Sequence, residues 1–340
     1  MAYFELSKKV LFEKYNELKK LVDVVAYNHK VNPEVGKVLD KETDIIFVLS
    51  SLNAVEEIKN KQRIVYIIQG ETREELTELY EKGINSFIVD NNSDLERLLE
   101  LKKGINLYLR MKFKEHTMYT GKYFVYGFSW QRINELIQEL KENKLITTLN
   151  LHFHRRTQNV GEWDILDEFK DAISKENFEY IDKVNIGGGL PGKYINSNPD
   201  TKVIFEKIKQ FRDFLNKNKM KLMIEPGRYI AASSIKLITF IKNKYENNLI
   251  LDCSIFNAYM DTYLMHMRLP VLDEQEKGGI TYLLKGISPD SLDIFRYRVN
   301  LPKEKQIGDK IIFENAGAYN FHTEFAELPK LETKIMDDFK

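Results

Sequence analysis

Short apolar runs alternate with longer, helix-periodic segments along the first two thirds of the chain. Eight runs rich in β-branched residues predict strands at Val24–Tyr27, Asp44–Leu49, Arg63–Ile68, Ile84–Val89, Ile105–Met111, Ile146–Phe153, Lys183–Ile186 and Lys221–Ile224. Between them, apolar residues three or four positions apart predict helices at segments such as Glu74–Lys82, Asp94–Leu101, Trp130–Asn143, Trp163–Ala172 and Val203–Asn218. Strand–helix alternation implies parallel pairing with helical crossovers. Eight such units favour a closed (β/α)8 barrel over the alternative, an open doubly wound sheet with fewer strands.

The pattern changes after about residue 230. Strands are predicted at Ser234–Ile241, Asn248–Cys253, Gly279–Lys285 and Lys310–Phe313, separated by turn residues. At the other end of the chain, Tyr3–Leu6 predicts a strand that returns to this β-rich part, and Lys8–Leu21 predicts a helix. We therefore expect an α/β protein, with a (β/α)8 TIM barrel at 8–230 and a C-terminal β-rich domain at 231–340 that includes residues 1–7.

Composition narrows the class of protein. With 43% hydrophobic and 30% charged residues, the 340 residues have the composition of a soluble globular protein. The 51 Lys and Arg residues balance 51 Asp and Glu residues, which argues against an electrostatic nucleic-acid binder. No apolar run approaches the roughly 20 residues of a membrane helix, and the first residues lack the pattern of a signal peptide. Because the single cysteine, Cys253, excludes an internal disulfide, we expect a cytoplasmic protein.

Chemically active residues collect after four of the predicted strands. Barrel enzymes carry their chemistry at the C-terminal ends of the strands, so one rim is expected to hold Lys30, His152, His154, Gly187, Gly188, Gly189, Glu225 and Arg228. Three consecutive glycines let backbone N–H groups approach an anion closely, although a plain tight turn is the alternative. Because phosphate sites in this fold often follow strands seven and eight, Arg228 on the next strand favours a phosphate site.

The side chains on this rim point to a cofactor. A partly desolvated Lys30 can be a Schiff-base nucleophile, and the alternative is an ordinary surface lysine. His152 and His154 face the same side of a strand, but a metal site there has no evident third ligand, and no metal is expected. A ring-stacking or acid–base role for one histidine is favoured over a satisfied core histidine. Together, a lysine, a phosphate site and the Glu225 carboxylate indicate pyridoxal 5'-phosphate.

The same residues resemble the motifs of the fold-type III, alanine-racemase-like amino acid decarboxylases, which include ornithine, arginine and diaminopimelate decarboxylases. The matching segments in the predicted barrel are Tyr27–Pro33, Leu151–His154, Gly187–Gly192 and Glu225–Tyr229. Two further family motifs are similar to Gly286–Asp293 and Gly317–Tyr319. The resemblance covers nearly the whole chain.

This resemblance implies a role for each matching residue. Lys30 forms the Schiff base with the cofactor, His154 stacks on its ring, and Glu225 pairs with its pyridine nitrogen. The residues that hold the phosphate are Thr157, Gly187, Gly188, Gly189, Arg228 and Tyr319. The resemblance also implies a homodimer with shared active sites, in which Asp290, delivered across the interface, and Asp252 bind a distal amino group of the substrate.

Four residues depart from the family pattern. Pro289 stands where the family usually has a cysteine near the reprotonation step, which leaves the proton donor open. Val48 stands where members acting on basic substrates often carry an aspartate. Arg155 and Arg156 replace small residues, and they either bind an extra substrate carboxylate or form a solvated or phosphate-supporting pair.

We therefore expect a pyridoxal-phosphate-dependent carboxy-lyase that converts a basic or diamino acid, such as ornithine, lysine or arginine, to an amine and CO2 in polyamine or diamine synthesis. One alternative is a decarboxylase of a substrate with an extra carboxylate, such as diaminopimelate or a carboxylated polyamine precursor. Another is a non-catalytic, decarboxylase-like regulator.

Overall fold

The computed structural model of the protein describes residues 1–113 and 126–339. Residues 114–125, within the predicted barrel, and residue 340, at the end of the predicted β-rich domain, lie outside the described residues. The chain opens with strand β1 (Tyr3–Ser7) and helix α1 (Lys8–Leu21). Ser7 begins this helix because its hydroxyl accepts the Val10 N–H at 3.2 Å.

Nine parallel strands follow α1: β2 (Val24–Asn28), β3 (Ile46–Leu49), β4 (Ile64–Ile67), β5 (Ser86–Val89), β6 (Ile105–Lys112), β7 (Phe128–Ser129), β8 (Ile146–His152), β9 (Lys183–Asn185) and β10 (Lys221–Ile224). Eight of them close into a barrel, because β5 pairs with β6 and β10 pairs with β2. The two-residue β7 pairs with β6 beside the barrel. Closure confirms the predicted (β/α)8 barrel and excludes the open sheet.

Helices cover the outside of the barrel: α2 (Pro33–Glu42), α3 (Leu52–Glu57), α4 (Arg73–Glu81), α5 (Asn92–Leu99), α6 (Trp130–Leu140), α7 (Ile165–Ala172), α8 (Thr201–Lys217) and the single-turn α9 (Arg228–Ala231). Their buried residues recur three or four positions apart; in α8 these are Ile204, Ile208, Phe211 and Leu215. This spacing places the apolar residues on one face of the helix, which packs against the strands.

Inside the barrel, apolar side chains form a cluster separate from the main core: Ala26, Val48, Val65, Ile88, Tyr108 and Met223. Because side chains alternate along a strand, their neighbours in sequence face the helices. Val48, one of the four departures from the family pattern, is almost completely buried in this cluster. The position is therefore occupied by apolar packing in this chain.

The rest of the chain is mostly sheet, with β11 (Ile235–Tyr245), β12 (Asn248–Leu251), α10 (Ile255–Ala258), α11 (Asp261–Leu264), β13 (Ile280–Lys285), β14 (Ile294–Leu301), β15 (Lys310–Phe313) and β16 (Thr333–Met336). β1 lies within this sheet, antiparallel to β11 and parallel to β16. β14 is absent from the strands that the sequence predicts. Its apolar residues nevertheless alternate with polar ones, and the buried Arg296, at one of the polar positions, pairs with Glu274.

This sheet region contacts the C-terminal end of the barrel. The Tyr319 N–H donates to the Val31 carbonyl at 3.0 Å, and Asn32 Nδ2 donates to the Gly317 carbonyl at 2.8 Å. These bonds join the turn after β2 to a segment beyond β15. None of the helices in the described ranges combines the length and apolar character needed to cross a bilayer.

Candidate active site

Lys30 lies in a short 3-10 turn, His29–Val31, at the C-terminal end of β2. Helix α2 begins just after it, where the Asn32 side chain accepts the N–H groups of Glu34 at 3.0 Å and Val35 at 3.3 Å. The Lys30 side chain is exposed, although the sequence predicts partial desolvation. Within residues 1–113 and 126–339, no hydrogen bond or ion pair holds its amine, which is accessible at the mouth of the barrel.

Glu225 follows β10 and is completely buried. Its Oε1 lies 2.9 Å from His154 Nδ1 and 3.4 Å from His152 Nε2, and its Oε2 accepts Asn185 Nδ2 at 3.0 Å. Burial alone would raise the pKa of this carboxyl, but the two histidines outweigh burial and hold the pKa well below its usual range. The site therefore contains a buried, ionised carboxylate.

Strand order explains how these groups meet. His152 ends β8, Asn185 ends β9, and the two residues are direct partners in the parallel ladder. β9 lies beside β10, so Glu225 comes next along the same rim. The sequence suggests no third ligand beside the two histidines, but the fold brings Glu225 to them: ligating atoms of His152, His154 and Glu225 lie within 4.8 Å of one another. That no metal binds here stays a prediction.

The three glycines between β9 and α8 pack directly against the segment after β8. Gly187 has φ +69° and Gly189 has φ +96°. A Cβ at Gly187 would lie 2.5 Å from the Phe153 carbonyl oxygen, and a Cβ at Gly189 would lie 3.0 Å from Arg155 Cβ. The tight-turn explanation accounts for both glycines. A contribution of Gly187, Gly188 and Gly189 to phosphate binding stays a prediction.

Arg228 is the centre of a second buried cluster. Its Nε donates to Thr157 Oγ1 at 3.0 Å, and its Nη1 donates to Tyr194 OH at 2.9 Å and to Asp261 Oδ2 at 2.5 Å. The guanidinium carbon lies 4.9 Å from the centre of the Tyr319 ring. Nη2 is buried without a hydrogen-bond partner among the described residues. Among the described residues, Arg228 Nη2 is therefore the donor of this cluster that is available to a ligand.

Three residues of the two clusters are absent from the sequence-based predictions: Asn185, Tyr194 and Asp261. Asn185 has a detectable pattern, because it is a polar residue at the end of an apolar run and directly precedes Ile186 and the glycines. Tyr194 lies between β9 and α8 and Asp261 begins α11, and no sequence spacing connects them with Arg228.

These residues fit pyridoxal phosphate. A guanidinium, a threonine hydroxyl and a tyrosine make a donor set suited to a phosphate, and the unpartnered Nη2 of Arg228 supplies a further donor. Glu225 supplies the negative charge that suits a protonated ring nitrogen. Lys30 directly precedes Val31, and Val31 packs closely on Gly227. A Cβ on Gly227 would lie 2.1 Å from Val31 Cγ2. The three parts of the site are therefore adjacent.

The second region holds the two predicted substrate aspartates. Asp252 accepts the Phe240 N–H at 2.9 Å, and Asp290 accepts the Leu292 N–H at 2.8 Å. Neither is joined by a hydrogen bond to the barrel rim within the described part of this chain. Pro289 is exposed in the same turn as Asp290. The turn is fixed by the buried Asp293, which accepts the N–H groups of Ile255 at 2.9 Å and Ser288 at 3.0 Å.

The two arginines after His154 have different surroundings. Arg155 Nη2 lies 2.7 Å from Glu168 Oε2, its Nη1 lies 3.8 Å from Glu162, and its guanidinium lies over the Phe113 ring. Its charge is already balanced by carboxylates of this chain, which supports a structural role for Arg155. Arg156 is exposed.

Residues 11–232 match the family of the pyridoxal-dependent decarboxylase, pyridoxal binding domain. The match covers more than half of the chain, and the chain belongs to this family. Pyridoxal phosphate is accordingly its cofactor, in agreement with the lysine, carboxylate and arginine at the barrel rim.

Individual relatives are more distant. The chain is 25% identical over 292 residues to the diaminopimelate decarboxylase of Aquifex aeolicus, covering 76% of this chain and 66% of the relative. It is 26% identical over 355 residues to a probable ornithine decarboxylase of Dictyostelium discoideum, covering 94% and 75%. The lysine/ornithine decarboxylase of Vibrio vulnificus, solved with cadaverine, superposes with a TM-score of 0.83 at 21% identity, covering 99% and 95%. This last likeness concerns the fold.

Proposed function

We propose that the protein is a pyridoxal-phosphate-dependent carboxy-lyase that converts a basic or diamino acid of the ornithine, lysine or arginine class to an amine and CO2. The observation that carries this proposal is Glu225, an ionised carboxylate in a completely buried position. Burying a charge is costly unless the charge is used or fully paired. Here it follows the strand beside the one that leads to Lys30.

The residues divide the work at the barrel rim. When bound, pyridoxal phosphate withdraws the electron pair left at the substrate α-carbon as CO2 departs. Lys30 would hold the cofactor's aldehyde through its amine. Glu225 would keep the ring nitrogen protonated, and Asn185 and His152 hold the Glu225 carboxylate in position. His154 would pack against the ring.

Phosphate anchoring belongs to the second cluster. Arg228, Thr157 and Tyr319 bind the phosphate, with backbone N–H groups from Gly187 to Gly189. Asp261 and Tyr194 hold the guanidinium in place from the other side. Anchoring at this end fixes the ring against Glu225, so that the bond to the leaving carboxylate can be aligned with the ring's π system.

The substrate's distal amine requires a carboxylate, and Glu225 at the rim is already paired with two histidines and Asn185. Asp290 fits this role in a homodimer with shared active sites, and Asp252 is the second candidate. The protein is then a cytoplasmic enzyme of polyamine or diamine synthesis, with a barrel at 8–230 and a second domain at 231–340 that includes residues 1–7.

An extra carboxylate on the substrate is the main alternative, since relatives include a diaminopimelate decarboxylase. The argument for it from Arg155 is weakened, because Glu168 and Glu162 already balance that guanidinium. A non-catalytic regulator is the other alternative. The presence of Lys30, Glu225 and Arg228 in one rim argues against it, because a regulator does not require all three.

Release of CO2 from a panel of amino acids tests the proposal. The purified chain, supplied with pyridoxal phosphate, is given ornithine, lysine, arginine and diaminopimelate separately, with CO2 and amine measured together. We expect equal amounts of both from one of the first three. Preference for diaminopimelate, lost when Arg155 and Arg156 are both replaced by Gln, would favour the extra-carboxylate alternative. If no substrate yields CO2, the proposal is refuted and the non-catalytic regulator is the remaining alternative.

A further inference from the structure

A completely enclosed histidine precedes Lys30 in the 3-10 turn. His29 is 2% exposed, and its Nε2 lies 3.1 Å from Glu57 Oε2 at the end of α3. The opposite side of the ring packs on α2, where a Cβ at Gly36 would lie only 2.3 Å from His29 Nδ1. The Phe47 ring of β3 meets the imidazole edge-on, with 6.1 Å between centroids. The imidazole therefore locks the turn against three elements of the barrel.

The other side of the turn is held by the sheet region. The carbonyl of Val31 accepts the Tyr319 N–H at 3.0 Å, and Asn32 Nδ2 donates to the Gly317 carbonyl at 2.8 Å. Lys30, whose own side chain is exposed, is thus placed by neighbours on both sides rather than by contacts of its own. Tyr319 also belongs to the cluster around Arg228.

We propose that His29 is a positioning residue for Lys30 and that the enclosure of its Nδ1 without an acceptor makes this positioning sensitive to acid. This proposal rests on the proposed function for the role of Lys30, but not for the behaviour of the turn. His29 does not touch the reacting atoms. It acts by keeping the 3-10 turn closed on the barrel.

The acid sensitivity follows from the surroundings of Nδ1. This atom is buried and has no hydrogen-bond partner among the described residues. In the neutral ring that donates from Nε2 to Glu57, Nδ1 carries only a lone pair. Protonation would place a second N–H at Nδ1, enclosed against Gly36 without an acceptor, which is costly.

The charged groups that face His29 come from two helices. Glu57 of α3 favours the protonated ring, as does Asp40 of α2, while Lys37 of α2 opposes it. Lys37 is itself paired with Glu34, and Asp40 is paired with Arg63. Burial outweighs these charges and lowers the pKa of His29. The closed turn therefore keeps its full stability above the ordinary histidine pKa of about 6.5 and loses it as the pH falls from there toward the lowered pKa.

Amide hydrogen exchange of the full chain without added cofactor, followed in peptides covering residues 28–36, tests the proposal. Rates are measured from pH 8 to pH 5 and corrected for intrinsic chemical exchange. In the unsubstituted protein, we expect opening of the turn to increase by up to about tenfold per pH unit below about 6.5. His29→Gln should abolish this increase, because the amide does not titrate. His266→Gln, a matched change at an exposed histidine, should leave it unchanged.

Glu57→Gln gives an independent arm if His29→Gln fails to fold. It retains an acceptor for His29 but removes the charge that favours protonation, so opening should continue to increase to lower pH than in the unsubstituted protein. Equal exchange in the unsubstituted protein and in both variants at every pH would overturn the proposal.

Covalent trapping of pyridoxal phosphate on Lys30 by borohydride distinguishes failure of the proposed function from failure of the positioning role of His29. Below pH 6.5, trapping should be slower in the unsubstituted protein than in His29→Gln, relative to their rates at pH 8. No trapping on Lys30 at pH 8 would refute the proposed function. The hydrogen-exchange rates alone would then decide whether the turn opens in acid. Trapping with the same pH profile in both proteins would refute only the positioning role.

Discussion

Glu225 on the barrel rim and the two predicted substrate aspartates of the sheet region are placed in opposite ways. Glu225 on the rim is completely buried and is held by side chains of two other strands, His152 on β8 and Asn185 on β9. Asp252 and Asp290 in the sheet region accept N–H groups of nearby backbone in that region. The closed barrel therefore assembles its part of the site within one chain. The sheet region requires a further element, which we propose to be a second subunit.

Strand register is the cause of the difference. Parallel strands of a closed barrel end at one rim, so residues far apart in sequence converge without long side chains. Lys30 and Glu225 are 195 positions apart in the numbering, yet they follow the paired strands β2 and β10. The turn at Gly286–Asp293 has no such partner strand and is closed by its own Asp293.

Lys30→Ala should have the largest effect, because it removes the amine that we propose binds the cofactor covalently. We expect decarboxylation to fall by roughly 10²–10⁴-fold, the range typical of a lost catalytic group. Circular dichroism should show an unchanged fold, since the side chain is exposed. Lys41→Ala, at an exposed position of α2, is the matched control, and equal activity in the two variants would contradict a special role for Lys30.

Glu225→Gln comes next in size. The amide keeps the shape of the side chain but cannot hold a proton on the ring nitrogen by charge, so kcat should fall by about 10²–10³-fold, as for other lost electrostatic groups. Glu225→Asp restores the charge and should recover part of the rate. If kcat is retained in Glu225→Gln and is not higher in Glu225→Asp, the buried carboxylate has only a structural role.

Asp290→Asn should have the smallest effect of the three and should act on substrate binding. Loss of a charge-assisted hydrogen bond, about 1.5–3 kcal/mol, corresponds to a roughly 10- to 100-fold fall in kcat/KM, carried by KM. Asp273→Asn, at an exposed position in the same region, is the control. If KM is unchanged in Asp290→Asn, the sheet region does not contribute this aspartate to the site.

Sequence patterns were sufficient for the barrel because its strands are short, mostly buried apolar runs separated by helix-periodic segments. All eight predicted runs overlap observed strands, for example Ile146–Phe153 with β8 (Ile146–His152). The residues at the ends of the runs, such as Lys30 and Glu225, therefore fall on one rim. Strand β14 is not among the predicted strands, although its apolar residues alternate with polar ones: Phe295, Tyr297, Val299 and Leu301.

Side-chain partners were less predictable than positions. Arg155 could be placed next to His154 but not paired with Glu168, which comes from helix α7. Asp261 of the sheet region binds Arg228 of the barrel, and no local sequence pattern predicts such a contact. The exposure of Lys30 also depends on the depth of the barrel mouth, a property of tertiary packing rather than of the strand that precedes it.

The most direct test of the account is to map where pyridoxal phosphate becomes attached. The protein is incubated with the cofactor, its visible absorbance is recorded, and borohydride is added before peptide mass spectrometry. The account predicts an absorbance band that disappears on reduction and a single labelled peptide with the label on Lys30. A protein that stays colourless, or carries its label on another lysine, would contradict it.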